Sequence, residues 1–251
     1  MARYYPTEDL PLNIARGLVK GTKFVHVNGS SGALAGTEFA TVWDYPDELY
    51  PWDAAFATAN SIYLTANVLD NNNEVVIVGL DSNYDELTET VTIQSGTANT
   101  TNNFIRVQYA YLNGNSSLNI QDIHFKCNGE NVARITANTG KSMSGIYTVP
   151  RNHTAYLVKG TMSAQKASDA QGEMFVRYSG TGPFIAGHAF EVGGDGGQYN
   201  YKFACPIPLP EKSDIDVRVK TRTNNHRYTV GFDIILIKTG LDGDYEQYVG
   251  Q

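Results

Sequence analysis

An all-β fold is what this sequence predicts: two tandem antiparallel β-sandwich or jelly-roll domains preceded by an extended N-terminal arm. Three observations point to it. Residues 75–93, VVIVGLDSNYDELTETVTI, read as a hairpin, because an apolar run meets a polar turn and Thr88, Thr90 and Thr92 then alternate with Leu87, Val91 and Ile93. The composition, with 16 Tyr, 10 Phe, 24 Gly and only 18% charged residues, suits antiparallel sheet better than helical bundles. Short extended segments also recur along the whole chain with Asn- and Gly-rich connectors between them and no helical periodicity.

Taken in order, residues 1–35 lack the apolar content to bury themselves. Tyr4 and Tyr5 precede a proline, Leu10-Pro11 interrupts helix, and one helical turn is expected near Leu12–Leu18. This segment is either a strand added to the main sheet or an arm that docks on a neighbouring chain. Between Phe39 and Ala59 lies the densest aromatic patch, with Trp43, Tyr45, Tyr50 and Trp52 punctuated by Pro46 and Pro51. Such rings either plug one end of a sandwich or form an interface or sugar-stacking platform. Six strand-like segments then fill residues 61–137 and complete a first β domain, 36–140.

A second set, from Ile146–Val149 to Tyr228–Lys238, defines a second domain, 145–240. Within it, Cys205-Pro206-Ile207-Pro208-Leu209-Pro210 is expected to run along a sheet edge, because proline donates no ladder hydrogen bond. The run GFDIILI, residues 231–237, is expected to be central and buried on both faces. The acidic tail 241–251 is expected to be exposed. A single larger two-sheet jelly roll is the alternative architecture.

The totals exclude more than they assign. A net charge of −7 argues against broad contact with nucleic acid phosphates. No window is apolar enough for a membrane span, and no secretion signal is evident. Cys127 and Cys205 stand far apart, and free buried thiols are expected rather than a disulfide. The five histidines, His26, His124, His153, His188 and His226, occur singly, without the close ligand pairs of a metal site. Asp81–Glu86 places Asp and Asn at alternate positions, as calcium loops do, but lacks their glycine and distal glutamate, so it reads as a turn. No catalytic motif is present, and no cofactor is expected. Asp44 and Asp53, each following a tryptophan, are the first candidates for a carboxylate pair should the chain be a glycan hydrolase.

Several segments together resemble a family of virion structural proteins from marine, cyanophage-like bacteriophages. They are Thr41-Val42-Trp43-Asp44, the stretch Val78–Glu86 leading into Glu89–Ile93, Ile146–Pro150 followed by Tyr156-Leu157, Leu209–Ile215 with Val217–Val219, and Gly231–Leu236. Their order spans most of residues 40–238. The resemblance implies a non-enzymatic virion protein assembled in the host cytoplasm, with no catalytic residues to carry over. The expected role is a capsid-surface decoration or cement protein, oligomeric and packed on the major capsid protein or on tail subunits. Tyr4, Tyr5, Leu12, Trp43, Tyr45, Tyr50 and Trp52 are the expected contact residues. A receptor- or carbohydrate-binding appendage is the alternative, and a glycan hydrolase comes third.

Overall fold

The computed structural model describes residues 10–165, 169–193, 197–222 and 225–240. Tyr4, Tyr5 and the 241–251 tail lie outside the described residues. The elements are α1 (Leu10–Ala15), β1 (Thr22–Ser30), β2 (Ala40–Thr41), α2 (Trp52–Phe56), β3 (Tyr63–Thr65), β4 (Glu74–Leu80), β5 (Glu86–Thr92), β6 (Thr97–Asn99) and β7 (Arg106–Leu112), followed by β8 (Ile123–Cys127), β9 (Glu130–Ile135), β10 (Ile146–Thr148), β11 (His153–Ala164), β12 (Ala170–Arg177), β13 (Ile185–Val192), β14 (Gln198–Leu209), β15 (Asp214–Thr221) and β16 (Tyr228–Lys238). The protein is all-β, and its strand pairs are antiparallel.

The sheets pack in two pairs, each around its own core. Sheets β6-β3-β8-β9 and β5-β4-β7 enclose the first, built from Trp43, Tyr50, Ile77, Phe104 and Phe125 among others. Sheets β1-β16-β11-β14 and β10-β15-β12-β13, the latter with β2 beside β15, enclose the second around Leu157, Val217, Tyr228, Phe232 and Ile234. These two units are not in tandem. β1 pairs along all nine of its residues with β16, so the strand alternative, not the arm, describes residues 22–30. Its inward side chains Val25 and Val27 join the second core, as does Leu34. Burial of those chains is what the isolated segment lacked. The first pair of sheets lies in sequence between β1 and β10.

The hairpin of β4 and β5 has the expected register, with Glu74 opposite Thr92 and Leu80 opposite Glu86. Thr88, Thr90 and Thr92 are exposed while Val91 is buried. β4 itself is buried nearly throughout, because β7 pairs on its other side. The turn that joins them needs no ion to close: Asp81 Oδ1 accepts from the backbone N–H groups of Asn83 (2.8 Å) and Asp85 (3.0 Å). Asparagine turns recur as the connectors required, with positive φ at Asn72, Asn128, Asn138 and Asn152.

Three details differ from expectation. β16 is central, between β1 and β11, yet its burial alternates because only one face of its sheet meets the core. Cys127 is a buried free thiol, whereas free Cys205 is exposed, since β14 is an edge strand. The Pro206 and Pro208 end of β14 does run along an edge. α1 is shorter and earlier than the expected turn, and Leu12 is 54% exposed on it.

Candidate functional site

The tryptophan-rich patch is core. Trp43, Tyr45, Tyr50 and Trp52 are all buried, Trp43 completely, which removes them as a contact surface or sugar platform. The rings pack edge-on: Trp43 and Tyr50 centroids lie 5.1 Å apart at 72°, Tyr50 and Trp52 4.7 Å apart at 64°. Each indole N–H is satisfied, Trp43 by the Glu48 carbonyl at 3.1 Å and Trp52 by Asp216 Oδ2 at 3.0 Å. Burial of the largest rings contributes more than exposure could.

Asp44 and Asp53 do not converge. Asp53 is exposed and pairs with Arg177 at 2.6 Å, whereas Asp44 is buried and its Oδ2 accepts from the Met143 N–H at 3.0 Å. Around Asp44, Arg134 donates to the Asp44 carbonyl and lies 4.8 Å from the Tyr45 ring centroid, and the Tyr45 hydroxyl meets His124 Nδ1 at 2.7 Å. Burial is the largest influence on the Asp44 carboxyl and raises it from 3.8 to about 7, against the opposing pull of the Met143 N–H and the Arg134 charge. Burial likewise lowers the His124 imidazole below its ordinary value.

A pH dependence follows from Asp44. Between pH 3.8 and 7 the folded chain keeps a proton that the unfolded chain has released. This contribution to stability is therefore complete below the unfolded value and is lost as pH rises through about 7, at roughly 1.4 kcal/mol per unit. Asp44→Asn keeps an acceptor for Met143 without the charge. Its melting temperature is expected to exceed that of the wild type at pH 8 and to converge with it near pH 4; parallel melting curves across that window would rule the assignment out.

Between the two cores lies a buried ionic cluster that the sequence reading missed. Arg106 on β7 grips Asp214 on β15 with two hydrogen bonds, Nε to Oδ1 at 2.9 Å and Nη2 to Oδ2 at 3.0 Å. Asp214 also accepts from Thr148 Oγ1 (2.6 Å) and Arg177 Nε (2.9 Å). Two residues on, Asp216 accepts from Thr41 Oγ1 and Trp52 Nε1 and pairs with Arg218. The side chains of Arg106, Arg177, Asp214 and Asp216 are 3% exposed or less. Burial disfavours the Arg106 charge, yet its bonds to Asp214 hold its pKa above the ordinary value. The cluster fixes one sandwich against the other. Its signal was available in the sequence: Asp214, Asp216 and Arg218 alternate with Ile215, Val217 and Val219, which places three charges on one face of a strand.

The surface candidate is the rim where the edge strands β13 and β14 lie near each other. These strands end two different sheets yet lie side by side in the chain. Their facing rings form a continuous row, His188, Phe190, Tyr199, Tyr201 and Phe203, with Phe190 stacked on Tyr199 at 5.0 Å and Tyr201 edge-on to Phe203 at 4.9 Å. Ile185 and Tyr201 are 55% and 44% exposed. Along both strands only Glu191 and Lys202 are charged. A bare, weakly charged edge of this length is a template for pairing, and solitary proteins normally guard against it. Here only the end bearing Pro206 and Pro208 is blocked by proline.

No protein-family model matches the chain, and none of the curated proteins matches it. Among solved structures, the VP2 subviral particle of infectious bursal disease virus aligns over 88% of this chain and 73% of that chain, with 10% identity and a TM-score of 0.25. A structure of the Gx strain of the same virus aligns over 87% and 73%, with 10% identity and a TM-score of 0.22. Likenesses this slight leave the function to be argued from the chain's own strands and surfaces. Among the described residues, no helix is long and apolar enough to cross a membrane, and no group of three or more His, Cys, Asp or Glu is placed to hold a metal ion.

Proposed function

We infer that the chain is a non-enzymatic structural subunit of a virus particle, built on a jelly roll and packed on neighbouring virion subunits as a capsid-surface decoration protein. The observation that carries this reading is the nesting of strand pairs around the second core. Of its eight principal strands in chain order, the first pairs with the eighth (β1, β16), the second with the seventh (β10, β15), the third with the sixth (β11, β14) and the fourth with the fifth (β12, β13). One long hairpin wound so that successive pairs alternate between two sheets gives this order, and that winding is a jelly roll, a fold used by viral capsid proteins and by lectins. The unit between β1 and β10 is then an insertion between the first and second strands. The sequence resemblance to phage virion proteins supports the capsid branch of that choice.

The β13–β14 edge supplies the contact surface. Subunits that meet through open sheet edges and exposed rings bury both together, and symmetric assembly repeats the contact. An Ile185→Asp, Tyr201→Asp double variant is expected to keep the wild-type melting temperature while losing incorporation into purified particles and any self-association seen by sedimentation. The role itself is tested by a cryo-microscopy map of the assembled particle. A map without density for this chain, or undiminished incorporation of the double variant, would defeat the respective part of the reading. A receptor- or carbohydrate-binding role loses its tryptophan platform but is favoured by a different surface, the outer face of the sheet β1-β16-β11-β14.

A further inference from the structure

The outer face of the sheet β1-β16-β11-β14 carries a trough of about 270 Å³. Two transverse rows of residues form it. The pairing registers align Asn28, Gly231, Thr161 and Asn200 across the four strands in one row, and Ser30, Thr229, Ser163 and Gln198 in the next. With strands about 4.8 Å apart, Asn28 and Asn200 stand roughly 14 Å from each other. Gly231 lies between them in the row and forms the floor, because it has no side chain to fill the space; a Cβ there would meet Thr161 Oγ1 at 2.9 Å. Tyr199 sits between Gln198 and Asn200 on β14, so its ring points to the opposite face, where it stacks on Phe190 and packs against the second core.

Apart from His26 at one end, the outward side chains of this lining are alike in chemistry. Asn28, Ser163, Gln198, Asn200 and Thr229 are amides and hydroxyls, and none makes a side-chain hydrogen bond among the described residues. Thr161 differs, since its hydroxyl donates to the Gly231 carbonyl at 3.2 Å. Each free amide offers a carbonyl acceptor beside two N–H donors, a pairing that matches adjacent hydroxyl groups, which also both donate and accept. Neither row carries a charge; the charged row, with His26 and Asp233 hydrogen-bonded at 2.5 Å, begins one step further along the strands. A concave surface lined by several uncharged donors and acceptors suits a hydroxyl-rich ligand rather than an apolar one. Its volume falls just short of the ~300 Å³ where drug-sized pockets begin, which suits one or two rings.

We propose that this trough binds a neutral oligosaccharide, taking a segment of one or two sugar rings, with Asn28, Asn200 and Gln198 bonding its hydroxyls. The site differs from the buried tryptophan patch and stands independently of the virion assignment, because it belongs to the isolated chain. The test is titration of the wild-type chain with neutral di- to tetrasaccharides of β-glucan, chitin, mannan and galactan type, followed by calorimetry and by amide NMR. Saturable binding by at least one of them is expected, with shifts clustered on residues 28, 161–163, 198–200 and 229–231. Asn28→Ala with Asn200→Ala, both exposed and so neutral to folding, is expected to weaken that binding at least about tenfold at an unchanged melting temperature. Gly231→Ala, which narrows the floor, is expected to weaken it as well. Absence of saturable binding across the panel at millimolar sugar, or affinity kept within about twofold in the double variant, would overturn the proposal.

Discussion

Asp214→Ala is expected to destabilise the protein by about 3–5 kcal/mol, the range seen when one partner of a buried ion pair is removed. Asp214 is fully buried and accepts from Arg106, Arg177 and Thr148 together. Without it, the Arg106 guanidinium stays buried among the Trp52, Phe56 and Tyr84 rings, with the Ile105 and Gly180 carbonyls as its remaining hydrogen-bond acceptors among the described residues. Arg177 keeps its bond to the exposed Asp53 and relaxes toward it. Urea denaturation followed by tryptophan fluorescence measures the loss, and the same signal reports on the interface, since Trp52 is bonded to Asp216 in the same cluster. Lys23→Ala serves as the comparison. It breaks an exposed pair with Glu86 and should change stability by less than about 1 kcal/mol. A loss for Asp214→Ala as small as that would mean the cluster does not hold the two sandwiches together.

Gly29→Ala is expected to cost about 3 kcal/mol, the upper end of what overpacking a core costs. A Cβ at Gly29 would lie 2.3 Å from Gly145 N and 2.6 Å from the Val42 carbonyl oxygen. Both neighbours are backbone, so no flexible side chain can move aside. Three segments cross here: β1, the chain leaving it at Val42, and the chain returning at Gly145, tied by hydrogen bonds from Gly145 N to Val42 O (2.7 Å) and from Val217 N to Gly145 O (3.0 Å). Any shift that relieves the clash strains those bonds. Gly160→Ala is the control, because a Cβ there meets nothing within 4 Å. It should leave the melting temperature nearly unchanged or raise it slightly. If both variants melt alike, close approach at Gly29 is not what demands the glycine.

The aromatic edge shows how a strand pattern can be legible while its meaning is not. His188 and Phe190, and likewise Tyr199, Tyr201 and Phe203, fall at alternate positions, so the sequence already placed each set on one strand face. Whether that face lies in a core or on a rim depends on which strands pair beside it. β13 and β14 prove to be terminal in their sheets, and their rings are left half covered. The same uncertainty ran the other way for Trp43 and Trp52, which are both buried, the Trp52 ring being met by segments as distant in sequence as Asp216 and Phe184. The trough on the outer sheet had no sequence signal at all, since its members come from four strands spread between residues 26 and 231.

By itself the sequence determined what is local. Alternating side chains, asparagine turns and the proline-marked edge followed from steric preferences and from the two-residue period of a strand, which need no knowledge of distant partners. The threonine face of β5 and the closure of its turn by Asp81 are of this kind. Only the tertiary structure decided the rest: that β1 belongs with β16, that one sandwich is inserted into another, and that Arg106 meets Asp214. Strand pairing at long separation is selected by the sum of burial and ladder hydrogen bonds over whole sheets, to which each strand contributes a pattern shared by many others. Local preference therefore fixes the strands, and global burial chooses their neighbours.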